Sequence, residues 1–254
     1  LTDRVKATGG YGFRMTDVSN VDSDIEDVDA PIDYDYASLK AQATYDSRSD
    51  LFFPFRGQRS FLSAEYADSF LGSDIKLTRL SGGVRYFFSL TKSTVLAMRY
   101  RTGLIVQGTD DNLPIAERFF NGGENTVRSF KQSELGPQDA NGDPVGGLAY
   151  NVINIELRQR LIGNLTGSLF LDLGNVSPNR SRDEQGKDAY DSKSDIMSDT
   201  FSQYFKDFRT GVGFGLQYQL PVGPARVDFA FNPDRDSDRH EDFVMFHFSV
   251  GMAF

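Results

Sequence analysis

Residues 208–220 read Phe-Arg-Thr-Gly-Val-Gly-Phe-Gly-Leu-Gln-Tyr-Gln-Leu, and two kinds of side chain alternate through them. Phe208, Val212, Phe214, Leu216, Tyr218 and Leu220 fall on one face, while Arg209, Gly211, Gly213, Gly215, Gln217 and Gln219 fall on the other. A period of two marks a β-strand, whose successive side chains point to opposite sides of a sheet. This strand has one greasy face and one that is small or polar.

The pattern recurs. Val244, Phe246, Phe248, Val250, Met252 and Phe254 oppose His247, Ser249, Gly251 and Ala253, and Ala225, Val227, Phe229 and Phe231 oppose Arg226, Asp228 and Asn232. Leu96, Met98, Tyr100 and Leu104 oppose Arg99, Arg101 and Gln107; Leu80, Val84, Tyr86 and Phe88 oppose Arg79, Ser81 and Arg85. Ala37, Leu39, Ala41 and Tyr45 oppose Ser38, Lys40, Gln42 and Asp46, and Tyr11 and Phe13 oppose Gly10, Gly12 and Arg14. About ten such strands are expected.

A water-soluble sandwich and a membrane barrel both alternate in this way. Two features favour the barrel. The polar faces are rich in Gly, Ser, Gln and Arg, as an enclosed wet interior requires. The connections also alternate between short (47–58, 90–93, 161–164, 221–223) and long or polar (18–34, 68–74, 108–146, 176–206, 232–242). Outer-membrane barrels sort their loops this way, with short turns towards the periplasm. The expectation is therefore an all-β chain forming a transmembrane antiparallel β-barrel, with residues 1–254 one barrel domain. Acidic tracts such as 22–29 read as solvated loops.

Composition agrees. Mean hydropathy is −0.40, and no apolar run approaches the roughly 20 residues of a membrane helix, a test that barrels evade. Phe (22), Tyr (11) and Gly (24) suit lipid-facing rings and close strand packing. The absence of Cys excludes disulfides and thiolate metal sites, and the net charge of −9 argues against nucleic acid as a partner. Leu1 stands where an initiator Met would and no signal peptide follows, so a processed or excised piece of an envelope protein is expected.

The connection 108–146 is too long for an idle turn. Phe119 and Phe120 precede Gly122 and Gly123, and Val127 and Phe130 surround Arg128. Apolar residues at a loop tip seek burial, which a barrel offers in its lumen. A buried arginine then needs partners, since an uncompensated buried charge costs several kcal/mol. Period two supplies candidates: Glu156 shares a face with Asn154, Arg158 and Arg160, and Phe170 and Asp172 face inward with Thr166 and Ser168. A guanidinium can fork onto a carboxylate and stack on a ring.

Catalysis is not expected. The only histidines are His240, in an acidic loop, and His247, on the inner face of the last strand without an evident acid to orient it. No metal-ligand pattern, P-loop or nucleophile elbow occurs, so neither an enzyme nor a cofactor is expected. A passive porin would explain the alternation and the loops.

Taken in order, Tyr45-Asp46-Ser47-Arg48 with Phe53-Pro54-Phe55-Arg56-Gly57, Val127-Arg128-Ser129-Phe130, Glu156 with Phe170-Leu171-Asp172-Leu173-Gly174, and the terminal strand Phe248 to Phe254 with Gly251 resemble the motifs of the BamA/TamA outer-membrane assembly superfamily. That resemblance implies that the chain is the C-terminal ten or so strands of a sixteen-stranded barrel. It also implies that Arg128 locks the long loop in the lumen against Phe170, Asp172 and Glu156, and that Phe254 ends a targeting strand. The family's loop motif carries glycine where this chain has Ser129; if that position has positive φ, serine would be strained by about a kcal/mol. The implied activity is insertion of client proteins without ATP through a lateral seam, with TamA-type translocation or two-partner secretion as alternatives. The implied partners are outer-membrane lipid, unfolded outer-membrane protein clients and accessory lipoproteins. The POTRA domains and first six or so strands are expected to lie outside this chain or in another.

Overall fold

The computed structural model describes residues 4–17, 33–107, 113–139, 142–178, 193–221, 223–237, 239 and 241–251. Ten strands form one antiparallel meander: β1 (Val5–Thr16), β2 (Tyr34–Asp46), β3 (Gly57–Ala67), β4 (Leu77–Ser89), β5 (Thr94–Gln107), β6 (Ala149–Ile162), β7 (Leu165–Ser177), β8 (Arg209–Leu220), β9 (Gly223–Phe231) and β10 (Val244–Val250). Each strand pairs with its neighbours in sequence, and among the described residues β1 and β10 remain the open edges.

Among the described residues no second sheet covers the apolar face. Phe214, Phe246 and Phe248 are 45%, 57% and 61% exposed, and Tyr11, Leu62 and Leu169 share that side. Such a continuous greasy surface is unstable in water and fits hydrocarbon, so the sandwich reading fails and the membrane barrel stands. The opposite face is the lumen wall. At its long-loop end Tyr34, Tyr36, Ile75, Leu77, Ile105 and Leu148 form an apolar cluster, against which Ile196 and Met197 pack. Those two belong to helix α1 (Lys193–Ser202), which lies inside what the sequence presents only as a long loop.

A buried polar cluster sits on the outer face of β6 and β7 near the long-loop end. Asn151 and Asn175 are paired in register, on the side opposite Tyr150, Val152 and Val176. A backbone segment covers them: Asn151 Nδ2 donates to the Tyr204 carbonyl (2.6 Å), and Asn175 Nδ2 donates to those of Tyr204 (3.0 Å) and Lys206 (2.7 Å).

Alternation carries the last strand through Gly251 to Phe254; β10 is described as Val244–Val250, Gly251 takes φ +109° while its N–H donates to the Pro224 carbonyl at 2.8 Å, and 252–254 lie outside the described residues. Phe254, His240 and the acidic tract 22–29 lie outside the described residues. The strain expected at Ser129 does not arise, because among the described non-glycine residues only Ser133 and Asp207 have positive φ.

Candidate functional site: a loop anchored in the lumen

The long connection between β5 and β6 turns into the lumen. Gly122 (φ +104°) and Gly123 (φ +98°) make the turn that other residues resist, and Asn121 fixes its start by donating from Nδ2 to the carbonyls of Asn151 and Asn175. Val127, Phe130 and Leu135 then pack on Tyr150, Val152 and Val176 of the wall. Gly174 is required here for close approach, since a Cβ would stand 2.6 Å from Val127 Cγ2.

This packing delivers Arg128 to β6 and β7. Its Nε and Nη2 fork onto Asp172 at 2.7 and 2.8 Å, its backbone N–H donates to the same carboxylate at 3.1 Å, and Nη1 donates to Glu156 at 3.0 Å. The guanidinium carbon lies 3.4 Å from the Phe170 ring centre. Burial alone would lower the Arg128 pKa; the charge and hydrogen bonds of Asp172, with Glu156 and Asp228, hold it above the ordinary arginine value. The structure thus brings Arg128, Glu156, Phe170 and Asp172 to one point, with Val127, Phe130, Gly122, Gly123 and Gly174 shaping the path to it. Phe248 lies on the outer face of β10, away from the site.

Sequence reasoning stopped at two carboxylates; the structure has three carboxylates and three arginines. Arg226 on β9 donates to Glu156 at 2.7 Å and to Asp228 at 2.6 Å, and Arg158 donates to Glu156 at 2.7 Å. Arg128, Arg158 and Arg226 therefore balance Glu156, Asp172 and Asp228, which is what a nearly dry site demands. Reaching from β9 to β6 requires β8 to be thin on its inner side. A Cβ at Gly213 would overlap the Phe170 ring, and one at Gly215 would overlap Asp228. The three inward glycines of β8 were visible in the sequence and could have signalled the crossing.

Two further contacts escaped the sequence. His247 Nε2 on β10 lies 2.7 Å from the Arg128 carbonyl, tying the loop to the edge strand. At the loop's other end buried Glu117 pairs with Arg14 of β1, accepts from Arg79 of β4 at 3.1 Å and accepts from the Tyr34 hydroxyl at 3.1 Å. Glu117 stands two residues from both Ile115 and Phe119, and an acid between apolar residues in a loop is the signal that could have found it.

A ten-stranded meander whose inner wall holds an arginine-bearing loop is the setting for comparison with known proteins. Residues 1–254 match the Omp85 superfamily domain over their whole length. The chain belongs to the Omp85 superfamily. Among its Omp85 relatives, the outer membrane protein assembly factor BamA of Nitratidesulfovibrio vulgaris is 23% identical over 98% of this chain and 30% of that protein. The outer membrane protein assembly factor BamA of Neisseria meningitidis is 24% identical over 80% of this chain and 27% of its own length. The chain thus spans less than a third of these curated relatives. The crystal structure of Haemophilus ducreyi BamA lacking POTRA domains 1–3 superposes with a TM-score of 0.68 at 19% identity, covering 86% of this chain and 42% of that one. This likeness establishes the Omp85 barrel fold.

Proposed function

We propose that this chain is the C-terminal barrel region of a bacterial outer-membrane assembly factor that inserts client β-barrel proteins without ATP and without catalysing a chemical reaction. The observation that carries the reading is the unbroken path from the loop to the edge strand. Arg128 is fixed on β6 and β7, its neighbours Arg226 and Asp228 lie on β9, and its carbonyl meets His247 on β10.

An edge strand presents unsatisfied N–H and C=O groups that a client strand can pair with. In lipid the alternative to pairing is severe, so backbone hydrogen bonding supplies the driving force that a nucleotide would otherwise provide. The anchored loop sets how firmly that edge is held. On this reading lipid covers the outer face and the clients are unfolded outer-membrane proteins. Accessory lipoproteins, POTRA domains and further strands complete the machine.

Depletion of the parent protein followed by a census of outer-membrane proteins tests the proposal. Broad loss of barrels is the expected result. Loss of one exported protein would instead indicate TamA-type translocation or two-partner secretion. An intact census, with solute conductance persisting in Arg128→Ala, would indicate a passive porin.

A further inference from the structure

The chain carries a net charge of −9, yet one part of its lumen wall is strongly cationic. Arg59, Arg85 and Arg99 stand directly opposite one another across β3, β4 and β5, all facing the lumen. Arg101 follows on β5, Arg158 and Arg160 descend β6, and Lys92 sits in the turn below. Like charges opposed across strands destabilise a sheet, so such a row calls for a compensating anion.

The described residues supply little of it. Asp46, 4.0 Å from Arg59, is already held by three hydrogen bonds from the Arg48 side chain and one from its backbone N–H. Arg99 is bound by the neutral side chain of Asn154 and the carbonyl of Asn125, and Arg101 lies 6.0 Å from the Tyr150 ring centre. Glu156, beside Arg158, is shared with Arg128 and Arg226. Arg85, Arg101 and Arg160 form no ion pair with a carboxylate among the described residues. Towards the long-loop end of the same wall the balance is restored, for Arg79 meets Glu65 and Glu117, and Lys40 meets Glu65.

Arg99 within this row is buried, and the row opens to solvent at its short-turn end. A cleft of about 630 Å³ opens at the short-turn mouth, lined by Lys92, Arg158 and Arg160 together with Phe53, Phe55 and Leu90. Charge of one sign within low-dielectric walls focuses the field and concentrates counter-charge. An apolar rim beside basic walls suits a chain that carries both carboxylates and hydrophobic groups.

We propose that the lumen wall of β3–β6 on the short-turn side is a binding strip for an acidic, extended polypeptide segment that enters through this cleft. That the segment belongs to a client rests on the assembly reading; the strip's preference for acidic polypeptide does not.

The test uses the full-length protein in lipid nanodiscs and short fluorescent peptides in which serine alternates with glutamate, glutamine or lysine. The glutamate peptide alone should bind, its affinity should fall steeply as salt rises, and Arg85→Gln/Arg101→Gln should weaken it by about tenfold. Equal binding of all three peptides, no binding of the glutamate peptide to the unmodified protein, or unchanged affinity in a folded double variant would overturn the proposal. If that variant does not fold, the unmodified protein decides through the peptide series and its salt dependence. Displacement by inorganic phosphate at equal charge would reduce the strip to a general anion site and overturn the polypeptide assignment. Client insertion into vesicles separates the two claims. Peptide binding without insertion removes the assembly reading and leaves the strip, and insertion without peptide binding does the reverse.

Discussion

The long loop is held at two points whose chemistry is inverted. At Glu117 an acid inserts among bases on β1 and β4; at Arg128 a base inserts among acids on β6, β7 and β9. The surroundings differ more than the charges do. Arg14 remains half-exposed and Arg79 partly so, whereas the side chains of Arg128, Glu156 and Asp172 are 3%, 0% and 0% exposed. A partner of Glu117 left alone can turn towards water. A partner of Arg128 cannot, so the same kind of contact is worth more where solvent is excluded.

Breaking the drier anchor should have the largest effect. Arg128→Ala should lower stability to urea unfolding by about 3–5 kcal/mol, because it takes from buried Asp172 the guanidinium that pairs with it and from Glu156 one of three. Arg128→Glu should be worse, with partial rescue by Asp172→Arg; strictly additive effects in that double-mutant cycle would remove the direct pairing. Glu117→Gln keeps the shape of the other anchor and should cost only about 1.5–3 kcal/mol in the same assay. A loss equal to that of Arg128→Ala would show that solvent access does not separate the two.

His247→Ala tests whether the drier anchor reaches the sheet edge. Amide exchange in β10 should accelerate while β6 and β7 stay protected, at a cost of about 1 kcal/mol. The smallest effect concerns Lys131 and Asp242, 2.8 Å apart and both exposed. Their hydrogen bond lowers the Asp242 pKa and raises that of Lys131. The Asp242 contribution is present above the usual carboxylate pKa and disappears as pH falls through the lowered value. The Lys131 contribution is present below the usual lysine pKa and disappears as pH rises through the raised one. Loop exchange should therefore be flat across neutral pH and rise slightly at both extremes, with salt erasing the difference.

How much of this was legible depended on range. Period two assigned the faces of β6 and β7, and hence of Glu156, Phe170 and Asp172, because alternation is a local property. It also placed Arg226, Asp228 and His247 on the inner face but could not give their partners. Those contacts depend on how far the sheet curls over β8, which Gly213 and Gly215 permit and no strand encodes alone. Glu117 was missed because its bases come from strands about 40 and 100 residues earlier in the chain.

The buried asparagines on the outside of β6 and β7 carry a last consequence. Amides satisfied by a polypeptide strap cannot sit at hydrocarbon depth, so the acyl region must end below Asn151 and Asn175. Gln159, bonded to Thr94 near the opposite mouth, marks the lower limit on the same wall. Eight residues separate the two levels, about 26 Å along the strand and roughly 20 Å vertically once tilt is included. The upper ends of these strands accordingly stand clear of the bilayer as a wetted collar.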